Sequence, residues 1–452
     1  MYLLYSILLT VGVVALLPRF IYDAFRHGKY VAGLGQRMGN VPPIDPTSGP
    51  VIWLHCVSVG ETQAARPLVS ELRQTYPASN IVISTTTLTG QRLAREVFRD
   101  DAAQVIYFPF DWRWTVRRAL RAIHPSTVLI METELWPTFL RECRRRNIRT
   151  AIVNGRLSER SFRRYRLIRR FIHRVVNDLD LALMQSEADA ARIRSLGLDE
   201  DRVKVSGNIK FDAGSDETGN VLTDEIRRRF ALDDGRPLIV AASTHAPEER
   251  IVIDAFRQVR VNDRPAPRIL IAPRHPERFA ETAELLESSG LSWARRSAEA
   301  AKSDEAADAI LLDSIGELRA VYPLADLVFV GGSIATTGGH NVLEPAAAGT
   351  CIVTGAHTHN FAAIMETFVG ADALVQLPPV AENEAAQVLA TVLNDLLADE
   401  QKRMMLSKRA KTLFKQNRGA TKRTVEMLAE IMSDKLQFVA RIRQTNFVAD
   451  QT

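Results

Sequence analysis

Val51-Ile-Trp-Leu-His-Cys56, Val57-Ser-Val-Gly60 and Glu61-Thr-Gln-Ala-Ala-Arg-Pro-Leu68 follow one another without a break. An apolar run of strand length meets a Ser/Gly turn, and an amphipathic helix opens behind it. The order puts Glu61 in the first helical turn, at the carboxyl end of a strand. Open α/β sheets bind ligands at that edge. A helix N-terminus carries partial positive charge and favours an ionised carboxylate. A carboxylate held charged there can accept a proton from a substrate hydroxyl. First-turn Glu also serves simply to complement the helix dipole, and the stretch alone leaves both roles open.

Outward from Val51 the pattern repeats. Apolar runs at Val51–Cys56, Ile81–Ser84, Val105–Phe108, Thr127–Met131, Thr150–Val153, Leu181–Met184 and Val203–Val205 alternate with amphipathic segments. Such alternation predicts a parallel sheet with helices on both faces. Residues 30–50, with several Gly and Pro, read as a linker, and polar Asp212–Asn220 reads as a domain junction. The alternation resumes at Leu238–Ala242, Ile269–Ala272, Ile310–Leu312, Leu327–Val330 and Ile352–Val353, and the chain ends in helical segments from about Glu382 to Phe438. The expected architecture is two successive α/β domains with a cleft between them.

With 452 residues, 46% hydrophobic and 25% charged, the chain can bury a large core and suits two or three domains. Net charge is +5, mildly basic, and the three cysteines are too dispersed for a disulfide framework or a zinc site. Met1–Leu17 is apolar and uncharged, about the lower length limit for a membrane span. Arg19, Arg26 and Lys29 follow it, which predicts an uncleaved single-pass anchor with the rest of the chain in the cytoplasm. A helix lying in the membrane interface is the alternative. Thirteen arginines fall between Arg141 and Arg174. They suit anionic headgroups or a solvated helix face, whereas no nucleic-acid motif or aromatic stacking surface accompanies them.

Further polar stretches follow strands in the second half. Pro273-Arg274-His275 places an Arg beside a helix N-terminus, suited to a phosphate or to a surface turn. Ser314-Ile-Gly-Glu317 fits a capping box. Gly331-Gly-Ser-Ile-Ala-Thr-Thr-Gly-Gly-His340-Asn-Val-Leu-Glu344-Pro joins an apolar strand to a helix, and its amides suit a phosphate or ribose. Asp178-Leu-Asp180 has the form of a metal-bound nucleotide-sugar motif, but it directly precedes a strand and reads as turn chemistry.

Taken together, His55-Cys-Val-Ser-Val-Gly-Glu61, Met131-Glu-Thr-Glu-Leu-Trp-Pro137, Asn154-Gly-Arg-Leu-Ser158, Gly207-Asn-Ile-Lys-Phe-Asp212, Ser243-Thr-His245, Pro273-Arg-His-Pro-Glu-Arg-Phe279 and Gly338-Gly-His-Asn-Val-Leu-Glu-Pro345 resemble the Kdo transferases. These membrane-anchored glycosyltransferases add 3-deoxy-D-manno-octulosonate (Kdo) to a lipid A precursor. The resemblance runs through nearly the whole chain and implies a GT-B fold of two Rossmann-like domains facing a central cleft. It implies residues 1–29 as anchor, 30–212 as acceptor domain, 221–420 as CMP-Kdo domain and 421–452 as a helical tail. By position, Glu61 resembles the family's general base, and Glu132 and Lys210 its transition-state stabilisers. Pro273, Arg274, Ile315, Gly316, Glu317, Asn341, Val342, Leu343 and Glu344 match its CMP-binding segments.

The resemblance also implies transfer from CMP-Kdo to lipid IVA in lipopolysaccharide biosynthesis, at the cytoplasmic face of the inner membrane. It implies no cofactor, no metal and no nucleic-acid partner. The chain departs from the family pattern at Pro247, where Gly is usual, and at Thr337, where a basic residue is common. A GT-B enzyme using a UDP-sugar, or a non-catalytic scaffold, is the alternative.

Overall fold

A computed structural model of the chain describes residues 1–27, 33–212, 220–259 and 265–432. The chain divides into two compact units, Met1–Ala213 with Arg418–Thr452, and Gly214–Asn417. The expected junction at Asp212–Asn220 lies almost wholly outside the described residues, as does the expected helical tail beyond Met432.

The first unit is built on β1 (Val51–Cys56), β2 (Asn80–Thr85), β3 (Gln104–Tyr107), β4 (Thr127–Met131), β5 (Arg149–Gly155), β6 (Leu181–Met184) and β7 (Val203–Val205). All pair in parallel, in the order β3-β2-β1-β4-β5-β6-β7. Every residue of β1 and β4 is buried, which is why these strands read as continuous apolar runs rather than alternating ones. Trp53, Val128 and Phe139 pack on one face, and Ile52, Leu54 and Leu68 on the other. Each such side chain contributes about 1.5–3 kcal/mol by leaving water. From β1 the chain moves outward to β3, then resumes at β4 on the other flank of β1. The order reverses between β1 and β4, and a sheet of this kind opens a crevice outside the strand ends at that point.

Residues 33–50 are part of this unit rather than a free linker. Val41 and Ile44 are buried in its core, and Gln36 Oε1 accepts from the Tyr107 N–H at 2.9 Å. The chain returns here at its other end. Asp212 accepts from the N–H groups of Gly419 and Thr421, both at 2.6 Å, at the start of the helix Ala420–Leu428. Val425 and Leu428 of that helix join the core.

The second unit repeats the plan with β8 (Leu238–Thr244), β9 (Arg268–Pro273), β10 (Trp293–Arg295), β11 (Ala309–Leu311), β12 (Leu327–Val330), β13 (Cys351–Thr354) and β14 (Val375–Gln376). Their order is β10-β11-β9-β8-β12-β13-β14, again parallel, with the reversal between β8 and β12. The sequence reading missed β10 and β14, edge strands of three and two residues that are too short to carry a pattern.

The N-terminal helix spans Tyr2–His27, and its single-pass assignment requires correction. Among the described residues, no helix is long and apolar enough to cross a membrane. Arg19, Asp23 and Arg26 follow the apolar run within the same helix. One face is committed to protein: Tyr2 Oη donates to Asp178 Oδ2 at 2.6 Å, and Trp112 Nε1 donates to Thr10 Oγ1 at 3.1 Å. The rings of Tyr2 and Tyr5 lie 5.6 and 5.8 Å from that of Phe171. Asp178 also pairs with Arg141, while Asp180 accepts from the Thr150 N–H at 2.8 Å and pairs with Arg149. Both aspartates of the Asp-x-Asp stretch are thus bonded to the protein itself.

Candidate active site

In the first unit, the expected catalytic residues belong to the strand ends and the adjoining turn. Ser58 caps the helix Val59–Thr75, and Glu61 occupies its first turn, just beyond β1. The Glu61 carboxylate turns back over the cap. Its Oε2 accepts from the Val57 N–H at 2.7 Å, and its Oε1 from Ser58 Oγ at 3.0 Å. Glu61 is only 7% exposed. Burial pushes its pKa up to about 7, the charges of Glu132 and Glu134 push the same way, and the Val57 and Ser58 bonds oppose them. The cap role and the acid–base role are therefore compatible in one side chain, because each carboxylate oxygen keeps a second lone pair.

Glu132 follows β4, on the other side of the strand-order reversal. Its φ of 54° is left-handed, which a non-glycine residue rarely adopts. Lys210 Nζ lies 3.4 Å from Glu132 Oε1. Lys210 belongs to the short 3-10 turn Ile209–Asp212, and Asn154 holds that turn. Asn154 is fully buried at the end of β5, also with left-handed φ (53°), and its Oδ1 accepts from the Ile209 N–H at 3.1 Å. His55 is not available for proton transfer. It is fully buried on Phe108, with ring centroids 3.9 Å apart, and burial lowers its pKa to about 3.

In the second unit the Gly-rich loop after β12 closes on Glu248, in the first turn of the helix Glu248–Gln258. Glu248 is fully buried. Its Oε2 accepts from the N–H groups of His245 (3.0 Å) and Gly332 (2.6 Å). Its Oε1 accepts from those of Ser333, Ile334 and Ala335, at 2.9, 2.8 and 3.1 Å. The expectation that these amides cradle a ligand phosphate is corrected here: the protein's own carboxylate fills the nest formed by residues 332–335. Gly331 has to be glycine, since a Cβ would meet Ser243 O and Thr244 Cα at 2.7 Å.

Around this loop, Arg274 follows β9, its N–H donating to Thr244 O at 3.0 Å and its side chain exposed. Ile315 is 82% exposed on a turn whose Gly316 has φ 88°. Glu317 is gripped by Arg296 at 2.8 and 3.2 Å and by Ser314 Oγ at 2.8 Å. Burial works against its ionisation, but those hydrogen bonds outweigh it and hold the pKa below the usual range. Glu317 is itself the cap residue of the short helix Leu318–Val321, so the expected capping box is replaced by an ion pair. Glu344 pairs with Arg319 at 3.1 Å, and Asn341 Oδ1 accepts from the Leu343 N–H at 3.0 Å. Pro273, Val342 and Leu343 are buried. Among the described residues, no group of three or more His, Cys, Asp or Glu is arranged to hold a metal ion.

A family model described as 3-deoxy-D-manno-octulosonic-acid transferase (kdotransferase) matches residues 32–213. The 3-deoxy-D-manno-octulosonic acid transferase of Haemophilus influenzae is 34% identical over 377 residues, covering 83% of this chain and 86% of that one. Its namesake from Bordetella pertussis is 34% identical over 391 residues, covering 85% and 88%. The chain belongs to the Kdo transferase family. It is a glycosyltransferase, built of two parallel-sheet α/β units resembling GT-B glycosyltransferases. A UDP-GlcNAc 2-epimerase from Neisseria meningitidis bound to UDP-GlcNAc shares that fold at 13% identity, with a TM-score of 0.52 over 84% of this chain and all of that one.

In this Kdo transferase, Glu132 and Lys210 are in contact and Glu61 is close enough to feel the charge of Glu132. Asn341 and Glu344 adjoin the Gly-rich loop, while Glu317 belongs to a separate ion pair on the turn after β11. Sequence reasoning missed Glu134, Asn154 and Glu248. Glu134 and Asn154 lie inside two of the family-like stretches, whereas Glu248 lies in none of them.

Proposed function

We propose that this Kdo transferase moves Kdo from CMP-Kdo to a glucosamine hydroxyl of a lipid A precursor such as lipid IVA, inverting the anomeric centre. Glu61 takes the hydroxyl proton, the oxygen bonds to the anomeric carbon, and the bond from that carbon to the CMP phosphate oxygen breaks. Lys210, oriented by Glu132, supplies positive charge to the reacting groups of the first unit. Arg274 supplies charge-assisted bonds to the leaving phosphate in the second. The exposed Ile315-Gly316 turn offers an apolar surface for a base.

The observation that supports this most is the placement of the Glu61 carboxyl, 7% exposed in the first helical turn beyond β1; that burial pushes its pKa up to about 7, and a general base works best when its pKa lies near the operating pH. Glu61→Gln is expected to lower transfer by about 10²–10⁴-fold, the usual contribution of such a base, while CMP binding is retained. Turnover at the wild-type rate would remove Glu61 from the mechanism.

The acceptor is a lipid, and the N-terminal helix supports a membrane-surface seat for the enzyme rather than a span. Leu3, Leu4, Ile7, Leu8, Val11 and Val14 form one apolar face, each at least 51% exposed. Phe171, packed on Tyr2 and Tyr5, links that helix to the helices Glu159–Leu167 and Arg169–Val176. Between those two, Leu167 is 86% and Ile168 51% exposed, flanked by exposed Arg164, Arg166, Arg169 and Arg170. Apolar side chains ringed by arginines suit the interface of an anionic leaflet. The cytoplasmic face of the inner membrane, where a lipid A precursor is made, is the proposed location.

A further inference from the structure

We propose that His245 and His340 form a single proton-sharing pair that takes up a proton when the phosphate of the nucleotide donor binds, so that the pair and Arg274 together read the donor's negative charge. This rests on the assignment of the second unit to the nucleotide.

Three observations converge on the pair. The first is topological. His245 follows β8 and His340 belongs to the loop after β12, so the two rings stand on either side of the point where the strand order reverses. Ligands of open α/β sheets bind at that crevice. The second is that the loop's own anion nest is closed, since the Glu248 carboxylate occupies the amides of residues 332–335. A donor phosphate must therefore be met by side chains, or by amides elsewhere.

The third observation is the contact itself. His245 Nε2 and His340 Nε2 are 2.7 Å apart, with the rings tilted by only 5°. One nitrogen donates and the other accepts, so both cannot carry a proton on Nε2. The pair thus holds a charge of 0 or +1, never +2. In the +1 state both Nδ1 atoms carry protons, which turns the pair into a two-headed donor for an anion. Among the described residues, no hydrogen bond is formed at either Nδ1.

Without a ligand, the surroundings favour the neutral state. The His275 ring stands edge-on to His245 at 5.1 Å. Arg274 adds its charge from the same turn, and Arg278 is paired with Glu249 at 2.9 Å. From the loop side, Thr337 donates to Gly332 O at 2.9 Å, His359 abuts Gly338, and Glu248 is saturated by amides. Burial, then the neighbouring His245, Arg274 and His275, lower the His340 pKa to about 4. His245 is also lowered, by burial and then His275, with Glu249 opposing. An anion within about 4–6 Å reverses this balance, each such charge typically raising a neighbouring pKa by roughly 1–3 units.

Calorimetry of CMP binding to the full chain near pH 7.5, in two buffers of different ionisation enthalpy, tests the proposal. The buffer dependence of the heat counts protons exchanged. At that pH CMP is already almost fully ionised, since a phosphate monoester loses its second proton near pH 6. Net proton uptake is expected with CMP and none with cytidine. His340→Gln and His245→Gln, verified as folded by circular dichroism, are expected to bind CMP without that uptake. Wild-type affinity should weaken by up to about tenfold per pH unit as pH rises from 7 to 8, the limit for one linked proton, and both variants should flatten that slope. Binding without uptake, or equal uptake in the variants, overturns the pair's role and leaves the donor assignment standing. Failure of CMP to bind at all overturns the donor assignment, and the pair's role with it.

Discussion

The proposed mechanism concentrates the chemistry of the first unit in the carboxyl of Glu61. Buried at the strand edge, it has a pKa of about 7 against the ordinary 4.5, and two consequences can be measured separately. The first is kinetic: kcat/KM for transfer should rise with pH through about 7 and level above it, as the base ionises. A profile flat from pH 5.5 to 8 would contradict this. The second is thermodynamic. Between its unfolded and folded pKa values the carboxyl binds more protons in the folded chain, so its contribution to stability falls as pH rises from 4.5 to 7 and is constant beyond. At 1.36 kcal/mol per pKa unit the loss is roughly 3 kcal/mol. Glu61→Gln should therefore gain thermal stability relative to wild type between pH 5 and pH 8. No relative gain would mean that the group titrates normally.

Glu248 shows how a single side chain shapes an element. Four consecutive loop amides and one from the preceding turn converge on it. Removing it leaves buried N–H groups without acceptors, each costing about 1–3 kcal/mol. Glu248→Ala is expected to destabilise the second unit by at least about 5 kcal/mol, five such groups at the lower end of that cost, and to weaken CMP binding while vesicle binding is unchanged. Denaturant unfolding at the wild-type midpoint would show that the loop holds its shape without the carboxylate. For the N-terminal helix, Leu8→Asp or Leu167→Asp should lower binding to anionic vesicles by about tenfold or more, through lost apolar insertion. Unchanged cosedimentation would return these residues to an ordinary solvated face.

At the scale of the whole molecule, the two parallel sheets were legible because strands covered on both faces read as near-continuous apolar runs, as the wholly buried β1 and β4 do. Glu61 was legible too, since Ser58 and the helix start fix its place. Other features depend on partners distant in sequence. No local pattern announces that Glu248 meets amides 84 to 87 residues away, or that Asp212 caps a helix 207 residues later. Hydropathy marked the apolar run Met1–Leu17 but neither the helix's continuation to His27 nor its neighbours; Tyr2 and Thr10 are held by Asp178 and Trp112. That is why a docked helix with one exposed face read as an anchor.

Mass spectrometry of a lipid A precursor in vesicles, incubated with CMP-Kdo and the full chain, tests transfer directly. With wild type, the acceptor is expected to gain the mass of at least one Kdo as CMP appears in equal amount, and with Glu61→Gln to remain almost unmodified. An unmodified acceptor with wild type, or the same product from the variant at the same rate, would contradict base-assisted Kdo transfer by this chain.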